Sequence, residues 1–158
     1  MNSTTDAFEM FCTGCEFADC ADFCLNAASA PHPRLLSYAS PAVVNAAFAC
    51  EIFLKLLLHW HGIAEKKIHK LKDLFEKLPD DTQIILKNSV VSHYGSWKDV
   101  WGFDCLDNVT DVFVIWRYSY EHDWSKSTQM HVDFGFLIAF RDSLKELCSQ
   151  SFGWVESL

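Results

Sequence analysis

A cationic side chain and an imidazole lie five positions apart in the second half of the chain, at Arg117 and His122. A guanidinium stabilises charge that develops on a phosphoryl group, and an imidazole transfers protons near neutral pH. This pair suits phosphodiester chemistry. Five residues at about 100° each place the two side chains about 140° apart on a straight helix. The reach of arginine or an unwound helix end must therefore bring them together.

Nearby polar side chains either support this pair or hold it in a purely structural role. Tyr118 and Glu121 follow Arg117 on the same predicted helix. Glu51 lies in a predicted helix that is apolar on most sides, and a buried carboxylate needs a cationic or hydrogen-bonding partner. The alternative interpretation is that Arg117 pairs with Glu121 or Glu51. His122 is then a solvated residue at a helix end.

The charge of the chain restricts where a nucleic acid can bind. Thirteen Lys and Arg against 21 Asp and Glu give a formal net charge of −8 at pH 7. Such a field repels phosphate backbones, so any contact with RNA or DNA must be local. Residues 55–87 hold seven of the thirteen basic side chains. The candidate phosphate-binding residues in this stretch are Lys66, Lys67, Lys70 and Lys72.

Four of the seven cysteines lie between positions 12 and 24. On one helix their side chains spread over about 180° and cannot converge on a tetrahedral zinc ion. Gly14 is the only helix breaker among them, so we expect buried thiols and no metal. An odd number of cysteines without a secretory signal is typical of a reducing compartment. The expected location is the cytoplasm.

Apolar residues repeat at helical spacing along the chain and predict six helices in a single domain, residues 1–158. Ten Gly and Pro residues leave few turn positions for a fold of many short strands. Ser40 and Pro41 are predicted to start the second helix, and Gly62 to follow its end in a left-handed conformation. We expect an all-α helical bundle. The predicted helices are 5–29, 41–61, 66–78, 81–94, 104–123 and 131–150.

The most apolar stretch, residues 41–60, contains Asn45, Glu51 and Lys55. These polar side chains interrupt the charge-free run that a membrane-spanning helix requires. Glu51 precedes Lys55 by four positions, the favourable order for an ion pair along a helix. The stretch is therefore predicted to be a buried core helix, and no membrane contact is expected.

Three runs of sequence resemble the HEPN superfamily of small helical-bundle proteins. The first is residues 45–58, with Glu51 and Lys55; the second is 69–75, beginning at His69; the third is 116–121, Trp-Arg-Tyr-Ser-Tyr-Glu. The resemblance covers residues 39–150 and leaves residues 1–30 as an additional N-terminal helix. His69 matches a family position near the end of the second helix, where a structural hydrogen bond is expected.

Many HEPN proteins are metal-independent ribonucleases of toxin–antitoxin, antiviral and abortive-infection systems. Their active site forms where two protomers bring Arg-x(4–6)-His motifs together, and Arg117-x4-His122 has this spacing. The resemblance implies that His122 assists attack of a ribose 2′-hydroxyl on the adjacent phosphate, while Arg117 stabilises the transition state. It also implies a homodimer, an RNA substrate and a cognate antitoxin or defence-system partner. The alternative is a catalytically inactive HEPN-like interaction or dimerisation domain.

Overall fold

The computed structural model describes residues 4–28, 38–64, 67–94, 104–111 and 133–154. Within these ranges six α-helices account for the regular structure, and the predicted all-α helical bundle is confirmed. The helices are α1 (Thr4–Ala28), α2 (Ala39–Trp60), α3 (Leu71–Glu76), α4 (Asp80–Tyr94), α5 (Asp104–Thr110) and α6 (Phe134–Phe152).

α2 is the central helix of the bundle and packs against α1, α3 and α6. Its most apolar window is long enough to cross a bilayer, but 72% of that window is buried inside the bundle. This burial is that of a core helix, as the sequence predicts. Each large aliphatic or aromatic side chain removed from water contributes about 1.5–3 kcal/mol. The fully buried large side chains of α2 are Phe53, Leu54, Leu56, Leu57 and Leu58.

The prediction for the C-terminal end of α2 is confirmed, whereas the prediction for its N-terminal end is wrong. Gly62 has φ +68°, the left-handed conformation that its position after the helix predicts. The predicted N-cap at Ser40 is wrong, because the helix already includes that residue and begins at Ala39. Tyr38 occupies the N-cap position, and no side chain caps this end by a hydrogen bond.

The third helix is much shorter than the predicted span of 66–78. Lys67 has φ 78°, and Lys70 is extended at φ −76° and ψ 124°, so α3 begins only at Leu71. The fifth helix is described over Asp104–Thr110 and is followed by a turn residue, Asp111; residues 112–123 of its predicted span lie outside the described residues. The N-terminus of α6 is capped by Asp133, whose Oδ1 accepts a hydrogen bond from the Phe136 N–H at 2.9 Å.

Gly14 lies inside an unbroken α1, so it does not act there as a helix breaker. A Cβ at this position would lie 2.5 Å from Cε1 and 2.9 Å from Cζ of Phe53. The Phe53 ring is completely buried and packs against Phe11, with 5.8 Å between ring centroids. Gly14 therefore serves packing, because it lets α1 approach the central helix at the Phe53 ring.

Replacing Gly14 with alanine should destabilise the protein although it raises helix propensity. At an exposed helix position this change stabilises by about 1 kcal/mol, whereas forcing an extra carbon into a packed core costs about 1–3 kcal/mol. We expect a lower melting temperature by circular dichroism. Asp19→Ala, at an exposed position of the same helix, should leave it nearly unchanged. A Gly14→Ala variant as stable as the wild type would contradict this account.

Candidate functional site

Glu51 places a carboxylate in the core of the bundle. Its side chain is 5% exposed, and one oxygen, Oε1, lies 2.8 Å from Lys55 Nζ. The same oxygen lies 2.9 Å from His69 Nδ1. We call these three residues the Glu51 cluster. Both the pairing of Glu51 with Lys55 and the hydrogen bond expected for His69 are present.

The turn between α2 and α3 positions the imidazole of this cluster. Gly62 reverses the chain after α2, and the left-handed residue Lys67 directs the following segment back towards Glu51. Leu71, Leu74 and Phe75 then bury one face of α3, which anchors the segment that carries His69. A short helix with only six residues is stabilised mainly by this burial, because helices of such length are marginal on their own.

His69 combines a fixed orientation with access to solvent. Its side chain is 67% exposed although Nδ1 is bonded to the buried carboxylate. When Nδ1 donates to Glu51, the neutral imidazole carries its lone pair on Nε2. A histidine held by a carboxylate through one nitrogen, with the other available, is the arrangement of a general base. The Glu51 cluster is therefore able to transfer a proton, a role that the sequence did not predict for His69.

Glu51 is the one predicted catalytic or supporting residue that the structure describes. Arg117, Tyr118, Glu121 and His122 lie outside the described residues, and their mutual arrangement stays a prediction. The expected pairing of Arg117 with Glu51 or Glu121 is likewise untested. Within the described ranges, the buried carboxylate is bound by Lys55 and His69.

The basic stretch does not form the strip along the third helix that the spacing predicts. Lys66 lies outside the described residues, Lys67 and Lys70 precede α3, and only Lys72 lies on it. The difference arises because the backbone is left-handed at Lys67 and extended at Lys70. These lysines consequently do not share one helical face.

Acidic side chains of the α5 region pair with two of these lysines. Lys72 Nζ lies 2.7 Å from Asp107 Oδ1, and Lys70 Nζ lies 3.9 Å from Asp111 Oδ1. The hydrogen bond to Asp107 raises the pKa of Lys72 above its ordinary value. The Lys72 backbone N–H also donates to Thr110 Oγ1 at 2.9 Å. The lysines thus tie α3 to α5, and a phosphate would have to compete with these carboxylates.

The α1 cysteines occupy different environments along one continuous helix. Cys12 and Cys15 are half-buried, Cys20 is exposed and Cys24 is buried. Within the described part of the chain, no group of three or more His, Cys, Asp or Glu side chains could hold a metal ion. In the core, burial raises the pKa of the Cys50 and Cys148 thiols. Such thiols stay protonated and pack as small apolar side chains.

Among the described residues, the most extensive charged network centres on Arg141 of α6, a residue that was not predicted to be functional. Nη1 and Nη2 lie 2.7 and 3.2 Å from the two carboxylate oxygens of Asp22 on α1. Nε and Nη2 lie 2.9 and 2.7 Å from Asp142 Oδ1. Nη1 also donates to the Ala18 carbonyl at 3.3 Å. The guanidinium therefore joins the two helices that flank α2.

Burial and hydrogen bonding act in opposite directions on this guanidinium. Burial lowers the pKa of Arg141, but hydrogen bonds to Asp22 and Asp142 outweigh it and raise the pKa above its ordinary value. A sequence signal for this role does exist. Arg141 lies on the apolar face of α6, four residues after Leu137 and three before Leu144, where a charged residue needs a partner.

Comparisons of the chain with models of known protein families, with curated proteins and with solved structures found no match in any of the three. The assignment of the site therefore depends on its own chemistry. The described residues contribute a buried carboxylate, an oriented and accessible imidazole at His69, and a structural guanidinium at Arg141.

Proposed function

We propose that this protein is a HEPN-like, metal-independent endoribonuclease that acts in the cytoplasm, in phage defence or as part of a toxin–antitoxin module. The observation that carries the proposal is the Arg117-x4-His122 spacing, in a run that resembles the HEPN superfamily. The all-helical bundle around α2 is a scaffold of the expected class. The Glu51 cluster adds a second imidazole, that of His69, which Glu51 Oε1 contacts through Nδ1 and which is accessible to solvent.

In the proposed reaction, His122 accepts the proton of a ribose 2′-hydroxyl, and the 2′-oxygen attacks the adjacent phosphorus. The bond from phosphorus to the 5′-oxygen breaks, and a His122 imidazolium donates a proton to that leaving oxygen. The products are a 2′,3′-cyclic phosphate and a 5′-hydroxyl end. Arg117 stabilises the negative charge of the transition state. Two protomers of a homodimer each contribute one Arg117-x4-His122 motif to the site. The proposed reaction uses no cofactor.

The remaining predicted residues have supporting roles in this proposal. Glu51, Tyr118 and Glu121 form the polar network that orients the catalytic pair. Phosphates of the RNA contact the basic stretch, where Lys67 is exposed and where Lys70 and Lys72 would exchange an acidic partner for a phosphate. The complete set of proposed phosphate contacts is Lys66, Lys67, Lys70 and Lys72.

The test is cleavage of a synthetic RNA by the purified full-length protein in the presence of EDTA. The wild type should generate ends with a 2′,3′-cyclic phosphate. Arg117→Ala and His122→Ala should each lower the rate by about 100-fold or more, the usual effect of removing a group that stabilises or transfers charge in a transition state. His93→Ala removes an exposed histidine on α4 and should leave cleavage unchanged. Equal cleavage by wild type and Arg117→Ala would refute the assignment.

The second candidate is a catalytically inactive HEPN-like interaction or dimerisation domain that binds a cognate antitoxin or defence-system protein. The ion pairs of Lys70 and Lys72 with Asp111 and Asp107 favour it, because they neutralise charge that would otherwise attract RNA. In this case the wild type cleaves no RNA, and Arg117→Ala lowers the melting temperature by removing an internal partner of a carboxylate. An unchanged melting temperature would count against this candidate.

A further inference from the structure

A cavity of about 400 Å³ lies between α4 and α6, on a face formed by the C-terminal end of one helix and the N-terminal half of the other. This volume falls within the range of small-molecule sites, which are mostly apolar with a few polar groups. Two aromatic rings, Tyr94 and Phe134, and two aliphatic side chains, Ile138 and Ala139, line it. Asp142 adds a carboxylate, and His93 adds an imidazole.

The aromatic wall of this cavity is held in place by contacts in the first turn of α6. The Tyr94 hydroxyl donates to Asp133 Oδ2 at 2.7 Å. The ring lies against Gly135, where a Cβ would come within 2.8 Å of Tyr94 Cε2. Glycine at this position is what allows the ring to approach the helix so closely. A wall fixed before a ligand arrives lowers the entropy cost of binding.

The polar end of the cavity carries the carboxylate of Asp142. Asp142 shares the Arg141 guanidinium with Asp22, which does not line the cavity and binds Arg141 through both of its oxygens. Arg141 contacts Asp142 only through Oδ1, while the Asp142 side chain is 38% exposed. Within the described part of the chain, no hydrogen bond occupies Asp142 Oδ2. His93, which lines the cavity, has its Nε2 3.3 Å from Glu146 Oε2.

We propose that this cavity binds a small organic cation, an ammonium or guanidinium group attached to an apolar or aromatic body. The cationic group donates a charge-assisted hydrogen bond to Asp142 Oδ2, the carboxylate oxygen that Arg141 does not contact. The body lies between Tyr94 and Phe134, whose ring faces attract a cation as well as apolar surface. A neutral ligand makes only an uncharged hydrogen bond to Asp142, and an anion is repelled by this carboxylate. This site is independent of the proposed nuclease activity.

The ligand class can be tested by isothermal titration calorimetry of the full chain with three probes of similar size. We expect phenethylammonium to bind, 2-phenylethanol to bind at least about tenfold more weakly, and phenylacetate not to bind. The tenfold difference corresponds to one hydrogen bond to a charged group. Equal binding of the ammonium and the alcohol, or no binding of the ammonium, would overturn the proposal.

Three variants test whether phenethylammonium binds in the cavity between α4 and α6. Asp142→Asn keeps the shape of the cavity and should weaken phenethylammonium binding about tenfold, with a melting curve to establish that the variant folds. Ile138→Trp leaves every carboxylate in place, puts an indole ring between α4 and α6 where the ligand body would lie, and should weaken binding. Asp107→Asn removes a carboxylate on α5, away from this cavity, and should bind like the wild type. If Ile138→Trp binds phenethylammonium normally, the cation binds elsewhere and the proposal fails.

Discussion

Arg141→Ala is expected to lower the free energy of unfolding by about 3 kcal/mol. The variant loses two hydrogen bonds to Asp22, two to Asp142 and one to the Ala18 carbonyl. It also leaves unfilled space where a side chain only 4% exposed had been. Because Asp22 and Asp142 are 49% and 38% exposed, water partly solvates them afterwards. The loss therefore falls at the lower end of the range for a broken buried ion pair.

Thermal and urea unfolding of this variant provide the measurement. A loss of about 3 kcal/mol corresponds to a melting temperature roughly 6–12 °C lower for a domain of this size. Arg141→Lys should fall between alanine and wild type, since it keeps the charge but cannot bind both Asp22 oxygens in parallel. Lys77→Ala, at an exposed position after α3, is the matched loss of a surface cation. If Arg141→Ala melts like Lys77→Ala, the guanidinium does not stabilise the contact between α1 and α6.

Glu51→Leu is expected to destabilise the protein by about 3 kcal/mol, because it leaves the Lys55 ammonium without its carboxylate in an apolar region. Lys55 is only 18% exposed, so water reaches it poorly. The double variant Glu51→Leu/Lys55→Leu should recover most of this loss and unfold within about 1 kcal/mol of the wild type. Replacing both members of a buried ion pair with apolar side chains is often nearly neutral.

The double variant also separates an effect of the Glu51 cluster on stability from an effect on RNA cleavage. We expect the double variant to fold like the wild type, but His69 no longer has the Glu51 carboxylate that orients it. If the Glu51 cluster supports the proposed nuclease, RNA cleavage should fall in the double variant while the urea midpoint returns towards that of the wild type. Normal cleavage would show that the cluster has no catalytic part. A double variant as unstable as Glu51→Leu would show that the ion pair itself stabilises the core.

The helices were predicted well where local patterns control them. α1 and α4 begin and end within one residue of the predicted spans, since apolar spacing and nearby prolines are properties of short windows. The central position of α2 followed from its composition, which is too apolar for any surface. The predicted start of the third helix was wrong because the backbone is left-handed at Lys67 and extended at Lys70, and side-chain spacing does not indicate either conformation. Of the predicted site, only Glu51 and part of the basic stretch fall within the described residues.

The amino-acid sequence by itself determined the helical class, the boundaries of α1 and α4 and the burial of α2, because helix formation depends on the spacing of neighbouring side chains. It also suggested the Arg117 and His122 motif, which stays a prediction. Only the tertiary structure decided that Gly14 admits Phe53, that His69 binds Glu51 and that Arg141 binds Asp22, 119 positions away in sequence. These contacts depend on how the helices pack together. Helix packing brings distant side chains to within hydrogen-bonding distance, and periodicity does not encode that geometry.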